Sequence, residues 1–179
     1  MTVFSQVPGA SLPRTLRGSY LDVVFEVSAA VTVAAYRHVC IVVWRDTPTV
    51  TSLLRVDGYL ARLEAQHGAV AGVVVVDSLS FRPPDQEARA EHARITRKYE
   101  THGRGLAMII DGASAKRSLF RFVLTTIQLM SSPRVPQRIC QSPAEAAGWL
   151  AELDGQVQRA ELAAAIQAAR GLAVQPKSA

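Results

Sequence analysis

The sequence predicts a single α/β domain: a mixed, mostly parallel sheet of about five strands with helices around it. Three observations carry this. Residues 39–44, 70–76 and 105–110 are short, continuous apolar runs, as strands covered on both faces are. Amphipathic stretches of helical period alternate with them. The last strand runs straight into Ser142-Pro143-Ala144-Glu145-Ala146-Ala147-Gly148-Trp149-Leu150, the opening of a helix. A chain of 179 residues can bury one sizeable core and is short for two domains. With 49% hydrophobic residues it is not a disordered chain.

Residues 1–18, with Pro8, Gly9 and Pro13, read as an irregular arm. In the β-rich stretch 20–35, Leu21, Val23 and Phe25 alternate with Asp22, Val24 and Glu26, the pattern of an edge strand with one wetter face. Residues 28–35 extend that strand or form a second short one. After the strand 39–44, Asp46 or Thr47 caps a helix with Pro48 in its first turn. Leu53, Val56, Leu60 and Leu63 share one face of that helix, and Gly68 stops it. The strand 70–76 is followed by Pro83-Pro84 and by a polar helix from Asp85 to about His102. Its weak apolar face is Ala88, His92, Ile95 and Tyr99. The strand 105–110 leads to a helix over residues 114–131, ended by Pro133 and Pro136. A short strand, 137–140, precedes a helix capped by Ser142, with Pro143 at its first position and Glu145 three residues after the cap. The core domain thus spans residues 19–154, and residues 155–179 add a C-terminal helix and tail.

The net charge of +5 and a pI near 9.7 come from arginines scattered along the chain, which reads as a solvated surface rather than a nucleic-acid-binding one. No apolar run approaches the roughly 20 residues of a membrane span. The N-terminus lacks a continuous apolar segment and makes a poor signal peptide. A soluble, cytoplasmic protein is the expectation. Cys40 and Cys140 lie in apolar strands and read as small hydrophobes, with a disulfide open only if the strands are neighbours under oxidising conditions. The sequence has no CxxC pair. His38, His67, His92 and His102 form no ligand pattern, so neither metal nor cofactor is expected. GxSxG, HExxH, the Walker loop and GxGxxG are absent, and no enzymatic activity has motif support.

The order of elements resembles that of STAS domains, the sulfate-transporter and anti-sigma-factor-antagonist family, in a divergent form. The likeness covers roughly residues 20–153. It is carried by Val73-Val74-Val75-Val76-Asp77-Ser78, by the strand Leu106-Ala107-Met108-Ile109-Ile110 before a long helix, and by the finish Arg138-Ile139-Cys140-Gln141-Ser142-Pro143-Ala144-Glu145-Ala146-Ala147-Gly148-Trp149-Leu150. The resemblance implies a non-catalytic regulatory or protein-interaction module. Regulatory antagonists of that family place a phosphorylatable Ser or Thr after the corresponding strand. Ser78 occupies that place here, and a phosphate on it would alter a partner surface. The chain departs from the family pattern in lacking the glycine and the immediate helix start after Ser78.

In open α/β sheets, sites lie beyond the carboxyl ends of the strands. Asp46, Asp77 and Asp111 fall there and read as caps of helices and loops, with a magnesium site as the alternative. The turn Gly112-Ala113-Ser114-Ala115-Lys116-Arg117 places two cations in a helix's first turn, where they oppose the dipole. It is the candidate site for a small anionic ligand. In the helix 114–131, Phe120, Val123, Leu124 and Ile127 make one apolar stripe, and Leu119, Phe122, Leu129 and Met130 fall on the other side. A helix apolar most of the way round must be covered twice. The second cover is either the C-terminal helix or a partner, another protein or a second copy of this chain. The first expectation for function is therefore an interaction module acting through helix faces and the loop 77–84. The alternative is a protein that binds a small anionic ligand at the strand ends.

Overall fold

A computed structural model describes residues 20–77, 84–110 and 134–172. Among the described residues, six strands and four helices form one α/β unit. The strands are β1 (Val23–Val27), β2 (Val31–Tyr36), β3 (Val39–Trp44), β4 (Val70–Val76), β5 (Gly103–Ile110) and β6 (Gln137–Cys140). The helices are α1 (Val50–His67), α2 (Gln86–Lys98), α3 (Pro143–Leu153) and α4 (Arg159–Gly171). The strands lie side by side in chain order, β1 to β6.

The sheet corrects the sequence expectation in strand direction, and of the two readings for residues 28–35 it takes the separate short strand. It is mixed rather than mostly parallel: β1–β2 and β2–β3 pair antiparallel, and β3–β4, β4–β5 and β5–β6 pair parallel. The extra strand arises because residues 23–36 turn back on themselves. The Ser28 backbone N–H donates to Val31 O at 2.9 Å, and the Val31 N–H donates to the Ser28 hydroxyl at 3.1 Å, closing the turn. A second tight turn follows at Arg37, whose φ is 51°, and the Asp22 carboxylate accepts its N–H.

Alternate residues feed two cores, one on each face of the sheet. Ala34, Ile41, Val43, Val73, Val75 and Ile109 pack against α3 and α4. Val33, Cys40, Val42, Trp44 and Val70 pack against α1 and α2. Cys40 and Cys140 therefore serve opposite cores, and both are free thiols. Burial pushes their pKa values up, to about 12 and about 11, so neither is a ready nucleophile.

The cap of α1 also differs from expectation. Thr49, not Asp46 or Thr47, is the N-cap, and it forms a reciprocal capping box with Ser52. The Asp46 carboxylate instead accepts the Thr47 N–H at 2.7 Å, leaving Pro48 ahead of the cap rather than within the helix. Gly68 ends α1 with φ 73°, a left-handed conformation that glycine adopts without a Cβ penalty. Asp85 caps α2 by accepting the Ala88 N–H at 2.8 Å. That helix closes at Tyr99, earlier than expected, because β5 already begins at Gly103. Ser142 caps α3 as expected, with Pro143 in its first turn. α4 joins α3 in one core through Leu162, Ala165, Ile166 and Ala169. No helix among the described residues is long and apolar enough to cross a membrane.

Candidate functional site

Three polar or hollow regions stand out once the sheet is assembled. The first is the carboxyl edge of the parallel strands, where the sequence placed its candidates. Arg45, just beyond β3, donates to the Thr32 hydroxyl at 2.8 Å and to the carbonyls of Arg170 and Leu172 at 3.0 and 2.5 Å. It thereby holds the last turn of α4, where the orphan carbonyls and the negative end of the dipole favour a cation. Asp77, just beyond β4, donates its backbone N–H to Trp44 O at 2.8 Å and accepts Arg170 at 2.7 Å. Burial lowers the pKa of Arg45, with the Asp77 charge acting the other way. Arg45 and Asp77 are thus engaged in docking α4 to the sheet, while the Asp46 carboxylate accepts the Thr47 N–H.

The second region lies at the opposite edge. There His38 and Asp154 are almost wholly enclosed, with side chains 4% and 5% exposed. Asp154 also accepts Arg104 at 2.7 Å and the Gln156 backbone N–H at 3.0 Å. Burial pushes the carboxyl up, but Arg104, the Gln156 amide and His38 outweigh it, and its pKa lies below the ordinary value. Nearby, Tyr36 donates to Glu161 at 2.6 Å, tying the start of α4 to the β2–β3 turn. From the sequence, His38 counts only among histidines without a ligand pattern, and residue 154 only as the end of the core domain. They stand 116 residues apart, and no local pattern joins them.

The third region lies between α1, α2 and the sheet. Asp57, buried on α1, accepts Lys98 at 2.7 Å, Arg94 at 2.8 Å and the Tyr99 hydroxyl at 3.0 Å. Burial raises its carboxyl pKa, but those three donors more than reverse the effect. Beside this joint is an apolar cavity of about 130 Å³, with Val42, Trp44, Val74, Leu106, Tyr99 and His92 in its wall. His92 is half-buried as a residue, but its Nδ1 is out of contact with solvent and has no hydrogen-bond partner. The signal for this was present in the sequence: a histidine within the one apolar stripe of a very polar helix.

Ser78 lies outside the described residues, as do Gly112, Ser114, Lys116 and Arg117 of the expected anion site. So do Leu119, Phe122, Leu129 and Met130 of the expected partner face. Asp77 and Arg45 are in place at the strand ends. Among the described residues, no group of three or more His, Cys, Asp or Glu is placed to hold a metal ion. Comparison with protein-family models, curated proteins and solved structures finds no match for this chain.

Proposed function

We propose that this chain is a non-catalytic binding and regulatory module that meets a protein partner through helix faces and the loop 77–84, as the STAS resemblance implies. The observation that carries the reading is the anchoring of Asp77. Its backbone is tied to Trp44 and its side chain to Arg170, so the loop leaves the sheet from a fixed point shared with α4. Ser78 directly follows that anchored residue, so a phosphate on it would add its charge one residue from the anchor. Arg45 and Asp77, at the same edge, fit the reading further, because both serve to dock α4.

The alternative reading, an anionic ligand at the strand ends, rests on Gly112, Ser114, Lys116 and Arg117. It gains nothing from Arg45, whose guanidinium already spans three acceptors. The partner reading is tested by affinity capture from the native lysate with wild type and Phe122→Glu as parallel baits, both shown to be folded by circular dichroism. A specific partner held by wild type and lost by the variant supports the reading. Absence of a specific partner with either bait overturns it.

A further inference from the structure

We infer that the cavity beside His92 is a binding site for a small, neutral, largely apolar molecule carrying one hydroxyl-like group, bound with that group against Nδ1. This goes beyond a protein-interaction role and uses a different face of the molecule.

Size and shape come first. The cavity measures about 130 Å³. An apolar cavity of roughly 150 Å³ holds a benzene molecule, so a single aromatic ring or a short branched acyl group is the right scale. The described wall is built by the sheet face, by Val135 and by α1 and α2, two capped helices joined through Asp57 and Lys98.

Chemistry comes next. Interiors pair nearly all their buried polar atoms, so an unpaired nitrogen needs a reason. Among the described residues lining the cavity, His92 Nδ1 is the buried side-chain nitrogen or oxygen left without a partner. The neighbouring polar groups are occupied. The Tyr99 hydroxyl donates to Asp57, the Thr96 hydroxyl donates to the His92 carbonyl at 2.9 Å, and Gln137 is engaged elsewhere. A buried water needs two to four polar partners, and the described wall offers one unpaired side-chain atom. One hydroxyl on an otherwise apolar ligand needs only one. Burial holds the imidazole neutral by lowering its pKa. A carboxylate or phosphate would therefore find no counter-charge on the imidazole and would lose part of its hydration. A hydroxyl suits either neutral tautomer, since it both donates and accepts.

The test uses phenol and toluene, which share a ring and differ by the hydroxyl, titrated into the full chain by protein-observed NMR. Imidazole 15N shifts are recorded alongside. In wild type, phenol is expected to bind about ten-fold more tightly than toluene, the size of one hydrogen bond to an otherwise unpaired buried atom. Phenol, and not toluene, should move the His92 Nδ1 resonance. His92→Leu keeps the bulk and removes the polar atom, so the preference for phenol should collapse to about one. Val74→Phe fills the space and should abolish binding of both. The wild-type 15N readout stands by itself if either variant fails to fold. Binding of neither probe to wild type overturns the inference, as does a phenol preference that survives His92→Leu.

Discussion

His38 Nε2 lies 2.7 Å from Asp154 Oδ2, and this contact fastens the β2–β3 turn to the corner between α3 and α4. A carboxylate can only accept, so Nε2 carries the proton and donates. Arg104 meets the same carboxylate oxygen and supplies its counter-charge, so the pair is complete with a neutral imidazole. Burial depresses the His38 pKa, and the attraction of Asp154 only partly offsets this.

Stability should consequently weaken on mild acidification. The pKa values of both His38 and His92 lie below the ordinary histidine value in the folded state, chiefly through burial. Below about pH 6.5 the unfolded chain binds more protons than the folded one, and the imbalance favours unfolding. The contribution of each histidine is fully present above that pH and is lost as the pH falls toward its folded pKa. The urea midpoint should drop between pH 7.5 and pH 5.5, and a flat profile would contradict the neutral assignment. Asp57 and Asp154, both held below the ordinary carboxyl value, should add a second loss below about pH 4.

Arg45→Lys should be nearly as damaging as Arg45→Ala. A planar fork reaches Thr32, Arg170 O and Leu172 O together, whereas an ammonium is a single point on a flexible stem. A loss of about 2 kcal/mol in urea unfolding is expected for either. Amide exchange should quicken first in the last turn of α4.

Asp57→Ala should cost about 2 kcal/mol, because the buried joint between α1 and α2 loses the acceptor for three donors. Arg94→Ala should shift the same urea midpoint far less, since its guanidinium is half in solvent and Lys98 and Tyr99 keep Asp57 paired.

Gly105→Val should destabilise by about 2 kcal/mol through overpacking. A Cβ at Gly105 would already lie 3.0 Å from Leu153 Cδ1 and 3.2 Å from Leu150 Cδ2. Gly105→Ala asks those two flexible ends to move only a few tenths of an ångström, so its thermal midpoint should stay near that of wild type.

Much of the fold was legible because it depends on local chemistry. The buried runs at 39–44 and 70–76 became β3 and β4 with those bounds. The Ser142-Pro143 start of α3 and the Gly68 stop of α1 are read from residues within one turn. The Thr49 cap was missed because Asp46, Thr47 and Thr49 are all competent caps, and only the helix's actual starting point chooses among them. The hairpin of β1 and β2 was left open because alternation marks a strand without saying where it turns. The candidate site was less legible than the fold. Its strand-end residues Arg45 and Asp77 were named, but their attachment to α4 joins positions 93 to 127 residues apart.

By itself the sequence determined the α/β class and the order and rough bounds of most of the described elements. These follow from periodicity, capping and turn chemistry, which act over a few residues. Only the tertiary structure decided the strand directions, the docking of α4 beside α3, the joining of His38 to Asp154, and the cavity that leaves His92 Nδ1 unpaired. Each of these is a meeting of distant segments. Which segments meet is set by how whole faces pack and which buried polar atoms find partners, and neither is encoded within any one stretch of the chain.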